Sequence, residues 1–330
     1  MRRLTRPRQQ TAWEIRYPLD KLAQNADETE WAAVLRGTSH VSVGTQDEAM
    51  AETGDEFAAE DADQLIASDR LQGQEILQES RQGTVLEQLE QRQELLGDAY
   101  PFEIDGNSLI YTPGDLPVYE LLLGICQAPS LSAAPFCELP RLFENLSLLA
   151  GRGYLGPQAR GYRTGWPRPK NVARFKTLIE DVKKQSGSYP SEWQWQHAEH
   201  LPEDPAPKFV KEDGLDVVVW RQWPDQRMGQ LYLLGQCACG ADWLKKDKEL
   251  DLDDFKEWFR LPRTQPVRSF FTPRHAVDPI LNHLARTAGL VFDRMRIVQA
   301  LGEGHLASDR LNLAAQIVQG LDIAKQQLAA

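Results

Sequence analysis

An aspartate and a glutamine occupy matching ends of a predicted β-hairpin. Lys211-Glu-Asp-Gly-Leu-Asp216 is a glycine-containing turn that leads into Val217-Val-Val-Trp220, a β-branched segment that predicts a strand with Asp216 at its start. A turn over 224–229 leads to a second predicted strand over 230–240, which carries Gln236. We therefore expect Asp216 and Gln236 to lie beside each other at one end of the hairpin.

Oxygen-bearing side chains in this arrangement can bind a hard divalent cation. Carboxylate and carbonyl oxygens are the ligands that Mg²⁺ prefers, and a bound ion neutralises charge on phosphate and lowers the pKa of an attacking water. A purely structural interpretation stays open as well. An aspartate that follows glycine at a strand start is often a turn residue whose side chain is satisfied locally.

The turn, hairpin and glutamine together resemble the metal site of the PD-(D/E)XK nuclease superfamily. The shared pattern is (D/E)-G-x-D, three β-branched or apolar residues, a hairpin, and a strand that ends in an acid or glutamine. Gln236 matches the glutamine of members whose strand ends in Q-x-K, but Ala238 stands where the lysine is normal. The resemblance implies that a neighbouring element supplies the lysine, and Lys245 and Lys246 are the candidates.

A second motif extends the resemblance to an upstream helix. Phe143-Glu144-Asn145-Leu146 is similar to the pattern that carries a glutamate on the first helix of the superfamily core. Taken alone, Glu144 is a solvated helix residue. The resemblance implies that Asp216, Glu144 and the backbone carbonyl of Cys237 bind Mg²⁺ or Mn²⁺, that Gln236 offers a neutral oxygen, and that the lysine orients the nucleophile or stabilises the phosphate.

The net charge of −11 is concentrated in one part of the chain. Residues 22–98 hold 18 acidic residues and 4 arginines, a net charge of −14, which leaves +3 for the rest. Residues 151–170 are rich in glycine, proline and arginine and predict an irregular basic loop. We expect this loop to contact DNA phosphates through four basic residues, which are Arg160, Arg163, Arg168 and Lys170.

The surrounding patterns predict an α/β protein. Helical patterns over 141–150, 172–184 and 254–260 and a strand pattern over 267–272 flank the hairpin. They favour a central mixed sheet flanked by helices, and the resemblance implies that this sheet is restriction-endonuclease-like. The predicted domains are a mostly helical acidic region over 1–135, a nuclease core over 136–278 and a helical tail over 279–330.

Two segments of the acidic region are predicted separately. Residues 46–64 predict a solvated segment, because they are acidic and nearly free of large apolar side chains. Residues 74–96 predict an amphipathic helix or helix pair, which packs on its own domain or binds a partner.

Composition excludes several classes of protein. No run approaches about 18 uncharged apolar residues, so no membrane span is predicted. The basic start of the chain leads into Pro7-Arg-Gln-Gln10 and not into an apolar segment, which favours a cytoplasmic protein. The four cysteines are too few and too scattered for a disulfide framework and are interpreted as reduced packing thiols.

Two functions remain from the sequence. The first is a metal-dependent endonuclease that cleaves DNA, with duplex DNA as the expected partner; the resemblance alone suggests a role as effector of a bacterial anti-phage defence system. The alternative is a catalytically impaired nuclease-like subunit that binds DNA or a protein partner within a multi-subunit defence complex. Asp216 and Glu144 favour the enzyme, whereas Gln236 and Ala238 favour the impaired subunit.

Overall fold

The computed structural model describes residues 18–41, 85–166, 168, 174–196, 214–225 and 227–326. The predicted solvated segment 46–64 and Lys170 lie outside these residues. The described chain forms two compact units. The first unit contains residues up to 94, 102–111 and 276–281, and the second contains 95–101, 112–275 and the residues from 282 onward.

The first unit is a small antiparallel sheet with helices. Its elements are α1 (Pro18–Arg36), β1 (Thr38–His40), α2 (85–96, of which the residues up to 94 belong to this unit), β2 (Phe102–Asp105) and β3 (Ser108–Tyr111). The sheet order is β1-β3-β2. Gly106 has a φ of 56°, which a glycine adopts without strain in the tight turn between β2 and β3.

A buried arginine joins the two helices of this unit. Nη1 of Arg92 on α2 lies 2.8 Å from a carboxylate oxygen of Asp27 and 2.8 Å from one of Glu30, both on α1. Nη2 of Arg92 donates to the carbonyl of Ala23 at 2.9 Å. The Arg92 side chain is fully buried, so each carboxylate is compensated by a cation that water does not reach.

The second unit is built on a mixed five-stranded sheet. In chain order its elements are α3 (Val118–Gln127), α4 (Leu139–Leu155), β4 (Ala159–Arg163), α5 (Phe175–Ser186), β5 (Gln194–Trp195), β6 (Val217–Arg221), β7 (Leu231–Cys237), α6 (Leu252–Trp258), β8 (Phe259–Arg260), β9 (Val267–Phe271), α7 (Asp278–Thr287, from residue 282), β10 (Leu290–Phe292), α8 (Arg294–Leu301) and α9 (Ala307–Lys325). The strand order is β10-β9-β7-β6-β4. β6 runs antiparallel to its two neighbours, β4 and β7, whereas β7, β9 and β10 run parallel to one another. The predicted mixed α/β sheet is therefore present.

Helix α4 covers one face of the sheet at close range. A Cβ on Gly151 of α4 would lie 2.9 Å from Cγ2 of Val219, and a Cβ on Gly161 of β4 would lie 2.5 Å from Cδ1 of Leu148. Both glycines therefore allow backbone to approach the opposite layer closely. Gly156, with a φ of 92°, ends α4 before β4 begins.

Helices α5 and α6 cover the other face. Val218 and Trp220 of β6 and Tyr232 and Leu234 of β7 alternate onto this face. They pack in one buried cluster with residues of α5 and α6, which include Phe175, Leu178, Ile179, Val182 and Phe255. The sheet is thus a buried layer between helices, and the ends of its strands are where polar groups can meet.

Two sequence predictions need correction. The predicted irregular loop over 151–170 is wrong for residues 151–163, because they contain the end of α4 and all of β4. β4 is an edge strand, and its sequence Ala-Arg-Gly-Tyr-Arg lacks the β-branched run that predicts a buried strand. The 279–330 tail is not only helical, because Leu290–Phe292 forms β10 and pairs with β9 of the core sheet.

Candidate functional site

Asp216 is held at the end of β7 by backbone hydrogen bonds. Its Oδ2 accepts a bond of 2.7 Å from the backbone nitrogen of Cys237, and its own nitrogen donates to Gly235 at 2.9 Å. The predicted hairpin is confirmed, since Val217 of β6 lies opposite Gly235 of β7. Asp216 therefore lies where the strand with Gln236 and Cys237 ends.

The segment after β4 wraps over the backbone of Asp216. The nitrogens of Thr164 and Gly165 donate to the carbonyl of Asp216 at 2.7 and 3.1 Å. The Thr164 hydroxyl donates to the carbonyl of Leu215. Three strand ends, those of β4, β6 and β7, therefore fix the position of this aspartate.

Helix α4 brings Glu144 to the same place. Arg163, the last residue of β4, donates through Nη1 to Oε2 of Glu144 at 2.5 Å and to the carbonyl of Gly165 at 2.9 Å. A Cβ on Gly165 would lie 2.4 Å from Oε2 of Glu144, so the carboxylate rests directly against this glycine. Because Gly165 also binds Asp216, one short turn connects the two acidic residues.

The charges of Asp216 and Glu144 both affect two nearby cysteines, Cys237 and Cys239. Burial raises the pKa of the Cys237 thiol well above its usual value, and the charges of Asp216 and Glu144 raise it further. Burial, with contributions from Cys126, Asp216 and Glu144, raises the pKa of Cys239 to about 12. Both thiols are therefore protonated at neutral pH, and the charges of both carboxylates act on each of them.

The amide of Gln236 is engaged on the other side of the sheet. Gln236 is 2% exposed and alternates with Tyr232 and Leu234, so its side chain lies on the face of α5 and α6. Its Nε2 donates to Oε2 of Glu249 at 2.6 Å. Gln236 and Glu144 therefore approach the strand end from opposite faces.

The two candidate lysines occupy different environments. Both lie in a 3-10 helix over Trp243–Lys246, and Ala238 is fully buried. Nζ of Lys245 lies 3.0 Å from Oδ1 of Asp242, and the Lys245 side chain is 70% exposed. Nζ of Lys246 lies 3.8 Å from Oε2 of Glu249. Its positive charge partly offsets the rise in the pKa of Cys239. Of the two lysines, Lys246 is therefore the one whose charge acts on Cys239.

Three of the four predicted DNA-contacting residues are described, and two of them, Arg160 and Arg163, lie on different faces of β4. Arg160 pairs with Trp220 and Arg163 with Val217, so the two lie toward opposite ends of β4 and, three residues apart, on opposite faces. Arg163 binds Glu144. The Arg168 guanidinium lies 5.8 Å from the ring centroid of Trp166, and Lys170 lies outside the described residues.

Sequence reasoning missed the residues that support the site. Thr164 and Gly165 hold Asp216, and Glu249 binds Gln236. No local pattern identifies them, because each acts through a partner that is distant in sequence. The Arg163–Glu144 ion pair cannot be predicted from a sequence pattern either, because α4 and the end of β4 meet only after folding.

Neither the described structure nor comparison with known proteins adds a metal cluster, a membrane helix or a relative. In the part of the chain that the structure describes, no three His, Cys, Asp or Glu side chains form a metal-ligating group. No helix among the same residues has the length and apolar character to cross a membrane. No protein-family model, curated protein or solved structure matches this chain.

Proposed function

We propose that this protein is a metal-dependent endonuclease that hydrolyses DNA phosphodiester bonds with a PD-(D/E)XK-like core in the second unit. The observation that carries the proposal is the convergence of Glu144 and Asp216 at the ends of β4, β6 and β7. These residues are far apart in the sequence, and the resemblance implies that they act together. A mixed sheet between helices is also the architecture that the resemblance implies.

The donor set fits a divalent cation of the Mg²⁺ type. Mg²⁺ binds through one or two protein carboxylates and completes its octahedron with water and phosphate oxygens, so Asp216 and Glu144 suffice as side-chain ligands. The backbone carbonyl of Cys237 is the third proposed ligand. When bound, the ion would neutralise phosphate charge and lower the pKa of the attacking water. Arg163 would have to give up part of its bond to Glu144, because both cations use the same carboxylate.

Lys246 is the proposed replacement for the lysine absent at position 238. Hydrolysis adds a water oxygen to phosphorus and breaks one phosphorus–oxygen bond to deoxyribose, whose oxygen leaves with a proton. A lysine ammonium beside the carboxylates can stabilise the negative charge on the phosphate oxygens in this step. Lys246 acts electrostatically on Cys239 in this site, whereas Lys245 pairs with Asp242 in solvent.

Plasmid nicking with four proteins tests the assignment. The wild-type protein, Asp216→Ala, Lys246→Ala and Lys245→Ala are incubated with supercoiled DNA and Mg²⁺ or Mn²⁺. We expect Asp216→Ala to abolish nicking, Lys246→Ala to slow it about 100-fold to 1,000-fold as for loss of one charge-stabilising donor, and Lys245→Ala to retain the wild-type rate. Equal nicking by the wild-type protein and Asp216→Ala would discard the proposal.

A second candidate function has specific support. Glu144 is already neutralised by Arg163 at 2.5 Å, and Gln236 replaces an acid and is bonded to Glu249. These contacts favour a catalytically impaired nuclease-like subunit that binds DNA or a protein partner in a larger complex. DNA binding by the wild-type protein without any nicking, in either metal ion, would favour this candidate over the enzyme. The role in anti-phage defence rests on the resemblance alone and is tested by phage challenge of cells that express wild-type protein or Asp216→Ala.

A further inference from the structure

A solvent-exposed tryptophan follows directly on the turn that holds both carboxylates. The indole of Trp166 is 59% exposed. Its neighbour Gly165 donates its N–H to the Asp216 carbonyl at 3.1 Å and rests against the Glu144 carboxylate. Since adjacent Cα atoms are about 3.8 Å apart, the Cα of Trp166 lies within about 8 Å of the Asp216 carbonyl oxygen. The backbone of Trp166 is thus fixed close to the candidate metal ligands, and its indole is open to solvent.

A cation accompanies the indole. The guanidinium carbon of Arg168 lies 5.8 Å from the Trp166 ring centroid, within the range of a cation–π contact. Burial raises the pKa of Tyr162 on β4 to about 12, and the charge of Arg168 is among the effects that oppose this rise, so the arginine acts on the strand as well as on the indole. Aromatic and cationic groups in this combination match a nucleotide, which has a flat base and an anionic phosphate.

The exposure of Trp166 alone does not indicate a function, so the test needs a control tryptophan. Single exposed apolar side chains are common on protein surfaces and require no function. Trp223 is such a residue: it is 56% exposed and lies beyond the far end of β6 from Asp216. The five residues of β6 alone span roughly 16 Å. Trp223 therefore has the same chemistry and exposure as Trp166 but lies away from the carboxylates.

We propose that Trp166 stacks on an unpaired base, so that single-stranded DNA is the preferred substrate of this site, an inference that rests on the proposed nuclease function. In a duplex each base face is covered by its neighbours, whereas a single strand offers a base face to an indole without the cost of unstacking. Arg168 attracts the phosphate next to that base. Trp166 is a substrate-positioning residue in this account, and it places the phosphate of a stacked nucleotide near Asp216 and Glu144.

Binding without cleavage separates this inference from the nuclease assignment. Fluorescence anisotropy of a labelled single-stranded oligonucleotide, and of the same strand annealed to its complement, is measured with full-length protein in EDTA at low ionic strength. The variants are Trp166→Ala, Trp166→Phe and Trp223→Ala. Stacking of one base contributes about 1–3 kcal/mol, which converts to about 5-fold to 150-fold in affinity at about 1.4 kcal/mol per tenfold.

We expect Trp166→Ala to lose about 5-fold to 150-fold in affinity for the single strand, and Trp166→Phe to stay within about threefold because it keeps an aromatic face. Trp223→Ala should bind the single strand like the wild-type protein, and Trp166→Ala should change duplex affinity little. If Trp166→Ala does not fold, Trp166→Leu replaces it, because leucine keeps apolar surface without an aromatic face.

Three results would each overturn the inference. They are wild-type affinity of Trp166→Ala or Trp166→Leu for the single strand, an equal loss in Trp223→Ala, and tighter binding of duplex than of single strand by the wild-type protein. The nuclease assignment fails separately, when Asp216→Ala nicks DNA at the wild-type rate. Loss of binding in Trp166→Ala together with full nicking by Asp216→Ala would retain the stacking contact and discard the carboxylate chemistry.

Discussion

Replacement of Gly165 by alanine tests the position of Glu144 directly. A Cβ at residue 165 would lie 2.4 Å from Oε2 and 2.6 Å from Cδ and Oε1 of Glu144, whereas ordinary contacts begin at 3.4 Å. The carboxylate must therefore move by about 1 Å, since its side chain is more flexible than the turn that binds Asp216. The backbone of Gly165 is not left-handed, so the substitution adds no strain of its own.

The displacement weakens the ion pair and moves a candidate metal ligand. Arg163 and Glu144 have side chains that are 12% and 11% exposed, and their bond is 2.5 Å long. A hydrogen bond to a charged group contributes about 1.5–3 kcal/mol, and the alanine recovers about 0.4–1 kcal/mol through the unfolded chain. We expect the free energy of unfolding to fall by about 1–2 kcal/mol. A misplacement of about 1 Å in a catalytic site costs about 100-fold in rate, and we expect nicking to slow by this factor.

Urea denaturation and the plasmid assay measure the two effects. Gly240→Ala is the matched control, because Gly240 lies near the end of β7 with nothing within 4 Å of its added Cβ. It should retain the wild-type rate. In a Glu144→Ala background, Gly165→Ala should cause no further loss, because the carboxylate that it displaces is gone. Wild-type nicking by Gly165→Ala, or an equal loss in the absence of Glu144, would refute the reasoning.

Three further predictions follow from the described contacts. Arg92→Ala should lower the free energy of unfolding by about 3–5 kcal/mol in urea denaturation, because it leaves two acidic side chains in the interior without their cation; a loss below about 1 kcal/mol would contradict the buried geometry. Burial and then a hydrogen bond to Asp181 raise the pKa of Tyr162 to about 12. The stabilisation that goes with this raised pKa is present below the unfolded pKa of about 10 and is lost as pH rises through about 12. The difference in phenolate absorbance between wild-type protein and Tyr162→Phe should show Tyr162 titrating near pH 12, and Asp181→Asn should lower the pKa of Tyr162. Alkylation with iodoacetamide near pH 8, followed by mass spectrometry, should modify the exposed Cys137 first and leave Cys239, whose pKa is about 12, unmodified; faster labelling of Cys239 would count against its placement.

The strands that carry the candidate site are readable from sequence because their signals are local. Three consecutive valines after Gly214-Leu-Asp216 predict β6, and the turn over 224–229 predicts the hairpin with β7. The helical pattern over 141–150 likewise predicts most of α4. Each of these segments alternates or repeats apolar residues because it is buried in a layer of the second unit.

Other parts of the sheet are not readable in this way. β4 is an edge strand with two arginines and a glycine, so it lacks the apolar run of a buried strand. β10 has only three residues and lies between helices. Both strands form because a neighbouring strand offers a partner, which is information that the local sequence does not contain.

The sequence by itself determined the pair of acidic residues worth testing and the hairpin that carries one of them, since side-chain type and strand propensity are local properties. Only the tertiary structure decided what surrounds them: Arg163 on Glu144, and Glu249 on Gln236. These pairings join residues on different elements, and the energy of each depends on distance and burial. Distance and burial exist only once the sheet and its helices have packed.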